Sequence, residues 1–313
     1  MKVLVTGGAG FIGTSLVKCL LDKKIEVIVV DNMKSGKKQN IDFFMNNKNF
    51  KFYCIDVEDT AKFCELLKGE KIDIVYHLAA NTNIRRGENN PNIDFNNTFL
   101  TTLSVLELMR RNNIKNLFFA SSSAIYGNKN TILSEQSDGL SPISYYGAAK
   151  AASEAFISSY TFMNDLNTLV LRFPNVVGPN LTHGVIYDFV NKLQVNSNEL
   201  EILGDGTQTK PYMYIDDLID AIILLTIEKG FKQNYNVFNI GVETFTSVTA
   251  IANIICNELG LKNVKYKYTG GKVGWKSDVP KFQFDIHKIH KEGWSAKYSS
   301  DEAVRLTVKN IKK

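Results

Sequence analysis

The sequence is poor in the residues that staple, coordinate or interrupt a chain. Four cysteines, four histidines, six prolines and two tryptophans occur in 313 residues. The cysteines stand at 19, 54, 64 and 256. None forms a C-x-x-C pair and none joins a histidine at zinc spacing, which excludes a disulfide scaffold and a zinc module. Cys19, Cys54 and Cys64 sit in apolar surroundings and read as small core residues, a usage suited to a reducing cytosol. His183, His287 and His290 lack a carboxylate partner pattern, so no metal is expected; His77 reads as a buried, hydrogen-bonded histidine. With so little proline, and 21 glycines, collagen-like and low-complexity classes drop out. No apolar run approaches the ~20 residues of a membrane span; the longest are Ile25–Val30 and Ala221–Ile227, so no membrane partner is expected. Met1–Val5 leads straight into a glycine-rich turn and does not read as a signal peptide. Neither charge dominates: the net is +5, and the lysines are scattered apart from Lys34, Lys37 and Lys38. Without a basic stripe and interleaved aromatics no nucleic acid is implied, while a phosphorylated small molecule is compatible.

What is present is an alternation. Apolar, β-branched runs at Lys2–Val5, Glu26–Val30, Phe50–Ile55, Ile72–His77, Asn116–Ala120 and Thr168–Arg172 alternate with helical spacing at Leu16–Leu21, Thr60–Leu67, Thr98–Arg111 and Tyr145–Phe162. Strands alternating with helices predict βαβ units with right-handed crossovers, hence an α/β, doubly wound parallel sheet. The second half is less regular. Gly204-Asp205-Gly206 marks a turn, and helices are predicted at Asp217–Ile227, Ser247–Leu259 and Ser299–Lys309. A chain of this length holds about two domains. The boundary is drawn at 1–175 and 176–313, with a later segment returning to the first.

Gly7, Gly10 and Gly13 follow the first strand and open a helix, in the spacing G-x-x-G-x-x-G. Glycine permits the tight turn and the close approach of a pyrophosphate, and the helix N-terminus offers free N–H groups to the phosphates. Asp31 closes the second strand 18 positions after Gly13, where a carboxylate accepts ribose hydroxyls and repels a 2′-phosphate; NAD is therefore favoured over NADP, with the lysine knot as counter-evidence. Asp56 closes the third strand and suits either the adenine amino group or a strand-end cap.

Tyr146 and Lys150 lie four apart, on one face of a predicted helix. A tyrosine titrates near ~10 unaided and needs a neighbouring cation to act as a base at neutral pH. Ser122, at the C-terminal end of a strand where α/β sites form, is the partner that gives this spacing weight. Tyr145 competes, at poorer spacing.

Gly7–Gly13, His77-Leu78-Ala79-Ala80, Ser121–Gly127, Tyr146–Lys150 and Arg172-Phe173-Pro174-Asn175 occur in order. On these motifs the chain resembles the extended short-chain dehydrogenase/reductase family over nearly its whole length. Within that family it is similar to UDP-glucose (UDP-galactose) 4-epimerases and related nucleotide-sugar epimerases. The resemblance implies a Rossmann-like domain, a smaller C-terminal α/β substrate domain with the site between them, a recycled NAD, and 4-epimerisation of a UDP-hexose through a 4-keto sugar. It assigns Tyr146 as base, Lys150 as its modulator and Ser122 as hydrogen-bond partner, with Ser123 as runner-up. Cofactor contacts are implied at Gly7, Gly10, Phe11, Ile12, Gly13, Asp31, Asn32, Ser35, Gly36, Asp56, Val57, Leu78, Ala79, Ala80, Asn97, Ser121, Tyr146, Lys150 and Pro174; for Asn97 a helix cap near Thr98 is the alternative. Substrate contacts are implied at Asn81, Arg85 in the following loop, Ser122, Ser123, Tyr146, Asn175, Val185, Lys210, Tyr212, Trp275 and Asp278. Lys210 and Trp275 stand where relatives carry arginines, and Trp275 suits either a substrate contact or packing. Related 4,6-dehydratases carry Asp-Glu where this chain has Ser123-Ala124, a pair unable to eliminate water. A homodimer through Thr98–Arg111 and Tyr145–Phe162 is the family expectation. A 4-reductase and a non-catalytic dinucleotide sensor are the rival readings.

Overall fold

The computed structural model describes residues 1–129, 131–137 and 139–311. Strands β1 (Lys2–Thr6), β2 (Glu26–Asp31), β3 (Phe50–Cys54), β4 (Ile74–His77), β5 (Asn116–Ser122) and β6 (Asn167–Phe173), with a last strand at Asn234–Asn239, form a seven-stranded sheet. Its order is β3-β2-β1-β4-β5-β6 followed by Asn234–Asn239, and the pairings from β3 through β5 are parallel. This is a Rossmann-like doubly wound sheet whose order reverses between β1 and β4, the point outside which such sheets bind ligands. The chain divides into two compact units. The first comprises Met1–Gly127, Gly139–Arg172 and Ile219–Phe238, and the second Asn128–Asp138, Phe173–Leu218 and Asn239–Lys313.

In the first unit the sheet's Leu4, Ile28, Val75, Leu117 and Phe119 pack with Val105, Leu106 and Met109 in one core. Helix α1 (Phe11–Asp22) follows the glycine turn and buries Leu16, Val17, Leu20 and Leu21. Helix α2 (Thr60–Leu66) is capped by Asp59, which accepts from the Lys62 N–H at 3.2 Å. Helix α3 (Ile84–Asn89) is capped by Asn83, which accepts from the Arg86 N–H, so Arg85 lies on a helix and not in a loop. The asparagines around it hide this short helix from a periodicity reading.

Helix α4 (Asn92–Asp94) runs through a π-helical segment, Phe95–Leu100, into α5 (Thr101–Asn112). The helix expected to start near Thr98 thus starts six residues earlier. Asn97 is no cap: it lies inside the helical run, its Nδ2 donating to the Ile93 carbonyl at 2.9 Å. The wider π turn shifts the side-chain phase, which is why the 3.6-residue pattern becomes legible only beyond it. Helix α6 (Tyr145–Met163) starts at Ser144, whose Oγ accepts from the Gly147 N–H at 3.0 Å.

Cys54, the last residue of β3, is exposed rather than part of the core, since the pleat turns it outward; Cys19 is half-buried and Cys64 and Cys256 are buried.

The second unit is built from short pairs. Asn175–Val177 runs parallel to Tyr212–Tyr214, Glu199–Ile202 parallel to Lys265–Tyr268, and Thr209–Lys210 antiparallel to Thr246–Ser247. Helices Val185–Val195, Val248–Leu259 and Ser300–Ile311 bury Phe189, Ile251, Ile255, Val304 and Val308 around these strands. No helix among the described residues is long and apolar enough to cross a membrane.

Candidate active site

The glycine turn is tight for a visible reason. Gly7 has φ +74°, and a Cβ there would sit 2.8 Å from the Ala79 nitrogen at the end of β4; a Cβ on Gly13 would overlap the Gly7 carbonyl oxygen. The turn therefore needs hydrogen where any other residue has carbon. Gly10 caps α1 without a side chain, which leaves the first N–H groups of the helix, next to Phe11 and Ile12, for an incoming anion. Leu78, Ala79 and Ala80 line the same edge, the Leu78 N–H donating to the Thr6 carbonyl at 3.1 Å. A dinucleotide pyrophosphate fits this cradle.

Asp31 is buried at the end of β2. Its carboxylate accepts from the Ala9 N–H at 3.0 Å and the Met33 N–H at 2.9 Å, and Gly36 packs against it. Burial pushes its pKa up from the usual carboxylate range, against the pull of those two N–H groups. Asp56 accepts from Asn32 Nδ2 at 3.0 Å and from the Lys34 ammonium at 2.8 Å, while Ser35 is exposed and Val57 buried beside them. Lys34, one third of the lysine knot, is thus already paired with a carboxylate.

Ser122 ends β5 and Ser123 opens the turn after it, and Tyr146 and Lys150 converge there from α6. Ser122 caps the following turn, its Oγ accepting from the Ala124 N–H at 3.2 Å; Ser123 begins that turn. Tyr146, in the first turn of α6, shares a side-chain hydrogen bond with Ser122. Burial holds its hydroxyl up at about 12, the Asp94 carboxylate adds to this, and the Ser122 bond pulls the other way. Lys150 is 2% exposed. Its ammonium donates to the Ala120 carbonyl at 2.6 Å, and lies 4.5 Å from the Phe119 ring centroid and 6.0 Å from that of Tyr146. Burial lowers the Lys150 pKa to about 7, and Glu154 opposes that fall.

Two residues that the sequence reading passed over support this cluster. Asp94 is 1% exposed, packs on Gly87, and accepts from Asn81 Nδ2 at 2.7 Å; burial raises its pKa. The Asn81 N–H in turn donates to Thr98 Oγ1 at 3.1 Å. Glu154, one turn beyond Lys150, is paired with Arg172 and accepts from Ser121 Oγ. Its signal was in the sequence, a carboxylate four residues after Lys150 on the same face of the predicted helix; nothing comparable marked Asp94. His77 bonds Thr6 Oγ1 at 2.7 Å and Thr102 Oγ1 at 3.1 Å, and burial, with the Lys150 charge, drives its pKa down to about 3.

In the second unit, Lys210 is bonded to Asp278 and its ammonium lies 4.9 Å from the Trp275 ring centroid; Asp278 Oδ2 also accepts from the Gly274 N–H at 3.0 Å. These three expected substrate residues therefore form one cluster, in which the lysine charge already has a partner. Asn175, exposed, pairs in register with the buried Tyr212. Pro174 is buried next to Asn175, and Val185 opens a helix elsewhere in the unit.

Comparison with known proteins follows the same lines. The sequence profile of the NAD dependent epimerase/dehydratase family matches residues 3–241. A putative UDP-glucose 4-epimerase of Methanocaldococcus jannaschii is 32% identical, over 99% of this chain and 98% of that protein. Crystal structures give the same picture. The Thermotoga maritima UDP-glucose 4-epimerase with UDP-glucose superposes with a TM-score of 0.88 at 32% identity, covering 100% of this chain and 99% of that one. The Thermus thermophilus UDP-glucose 4-epimerase complex with NAD superposes with a TM-score of 0.87 at 28% identity and the same coverage.

Proposed function

Because the chain belongs to the NAD dependent epimerase/dehydratase family, whose cofactor is NAD, we propose that it inverts C4 of a UDP-hexose of the UDP-glucose/UDP-galactose type. Asp31 and the Gly7–Gly13 turn would hold the dinucleotide, and Tyr146 and Lys150 would face its nicotinamide end. When bound, NAD supplies the reversible oxidation of a secondary alcohol. The chain supplies the proton chemistry. Tyr146 Oη takes the proton of the sugar 4-hydroxyl and later returns it. Ser122 orients that hydroxyl through the bond it shares with Tyr146. Lys150, as an ammonium, lowers the cost of a tyrosinate beside it.

The observation that carries epimerisation rather than dehydration is the turn after Ser122. Ser123 and Ala124 occupy it, with no carboxyl group to protonate a leaving 6-hydroxyl. In the second unit, Lys210 would meet the diphosphate only by exchanging Asp278 for phosphate, and Asn175 and Trp275 stand near enough in sequence and pairing to share that task. We place the working protein as a homodimer, on the exposed apolar residues Phe95, Phe156, Phe162 and Met163 along the α4–α5 and α6 helices, and in the cytoplasm, on its four free thiols.

The test is a panel of UDP-glucose, UDP-N-acetylglucosamine, UDP-glucuronate and dTDP-glucose incubated with the protein and no added reductant, with products read by proton NMR. Appearance of a C4 epimer supports the reading. A 4-keto-6-deoxy product, or a 4-keto sugar released with stoichiometric reduction of NAD to NADH, contradicts it.

A further inference from the structure

Behind Lys150 lies a largely buried cluster that the proton chemistry above does not use. Glu154 follows Lys150 by one turn on the same face of α6, and both are at most 3% exposed. Arg172, on β6, grips the Glu154 carboxylate from two sides, Nε at 3.1 and 3.2 Å and Nη2 at 2.6 Å. Ser121 Oγ, on β5, donates to the same carboxylate, and Tyr235, on the strand Asn234–Asn239, reaches it at 3.5 Å. Arg172 Nη1 donates to Tyr126 Oη at 2.7 Å and the guanidinium lies 5.1 Å from that ring. The cluster thus ties the helix that carries Tyr146 and Lys150 to the strand that carries Ser122, to the turn after it, and to two further strands.

A buried ion pair of this kind is weak support for stability, because the desolvation of both charges offsets their attraction, so its presence asks for another reason. We infer that Glu154, clamped by Arg172, is a positioning residue for Lys150: held rigidly one helical turn away, it presents a fixed carboxylate to the lysine ammonium that bonds the Ala120 carbonyl. This rests on the reading of Lys150 as a partner of Tyr146 given above.

Among the described residues around Lys150, Glu154 is the carboxylate placed to do this. On α6 the lysine faces Tyr146 and Glu154. From β5 it meets the Phe119 ring and the Ala120 carbonyl. From β4 it meets His77, which is neutral in the folded protein. Asp94, on α4, acts on Tyr146. Arg172, Tyr126 and Tyr235 bear on Glu154. Burial favours the neutral amine, and Glu154 is the carboxylate that opposes it.

The test labels the full protein with 13Cε-lysine and follows the Lys150 resonance, assigned by its loss in Lys150→Met, through a pH titration. In Glu154→Gln the Lys150 midpoint should fall by about one pH unit, the size expected when an opposite charge one helical turn away is removed. Because that variant strands Arg172, Glu154→Gln/Arg172→Met is measured beside it; both charges leave together, so a smaller downward shift than in Glu154→Gln is expected, because the guanidinium's repulsion of the ammonium is removed with the carboxylate. Glu154→Asp should restore much of the wild-type midpoint. On the reading above, the alkaline limb of the pH–rate profile moves down with the resonance, whereas a purely structural role lowers the rate evenly across pH. An unmoved Lys150 midpoint in the folded variants overturns the inference. Absence of any nucleotide-sugar turnover in the wild type overturns the functional reading instead, and leaves the resonance titration to decide this one.

Discussion

At His77 and Lys150 the same cause, burial in unit one beside the sheet's C-terminal edge, acts on two ordinary bases and discharges one further than the other. Burial, with the Lys150 charge, takes the His77 pKa down to about 3, and its two threonine partners suit a neutral ring. Lys150 keeps Glu154 in reach and falls only to about 7. The histidine carries a pH dependence with a definite sign. Its folded-state value lies below the ordinary ~6.5, so the unfolded chain binds the extra proton first. The stabilisation is complete above about pH 6.5 and is lost as pH drops toward 3, at up to about 1.4 kcal/mol per pH unit. Thermal unfolding of the wild type should therefore fall by a few degrees between about pH 7 and pH 5, and His77→Gln should show a flatter profile over that interval. Beside the glycine turn, the Lys34–Asp56 pair occupies one of the three lysines that could have argued for a 2′-phosphate, and Asp31 is proposed as the group that would accept the ribose hydroxyls.

The glycine turn and the helix after it show how far an element is fixed by its sequence. The three glycines were legible because each has a steric reason: Gly7 presses on Ala79, Gly13 on the Gly7 carbonyl, and Gly10 less tightly on that same carbonyl. Gly13→Ala should cost about 1–3 kcal/mol of stability from overpacking, and weaken NAD binding by about tenfold or more, as the turn opens. Calorimetric melts and NAD titration of the variant check both, and an unchanged NAD affinity would remove the turn from the binding site. The strands of valine, isoleucine and leucine were legible for the same kind of reason, since continuous apolar runs bounded by turns are what a sheet covered on both faces requires. The strand Asn234–Asn239 was not, because three asparagines disfavour a strand and only its place beside β6 overrides them. The π turn at Phe95–Leu100 likewise has no periodic signature. It holds Asn97 inside the helical run, while Asp94, just before it, is placed by its contacts with Gly87 and Asn81.

For the whole molecule, the family and the Rossmann-like sheet followed from motifs with strict steric or spacing demands, whereas the pairing of Lys210, Trp275 and Asp278, proposed above to bear on the substrate, is revealed only by the folded second unit. The mild net charge of +5 needs no polymer partner when the ligand is a diphosphate. One surface feature also belongs to this scale. Phe95 and Phe99 lie 5.7 Å apart between ring centroids, Phe99 and Phe156 5.1 Å, and Phe162 and Met163 are 65% and 83% exposed nearby in sequence. An apolar face on two helices of that kind suits a second copy of the chain. Phe156→Glu should shift the protein from dimer to monomer in sedimentation velocity, while a wild type that sediments as a monomer at micromolar concentration would remove this part of the account.

The central claim concerns Tyr146 and the sugar 4-hydroxyl. Proton NMR of UDP-galactose incubated with the wild-type protein, without added cofactor, is predicted to show UDP-glucose growing to equilibrium. Tyr146→Phe should slow that conversion by about 10²–10⁴-fold, the usual contribution of a general base, while binding the nucleotide sugar as tightly in a titration. Conversion at an undiminished rate in Tyr146→Phe would contradict the account, as would a wild type that epimerises no sugar nucleotide at C4.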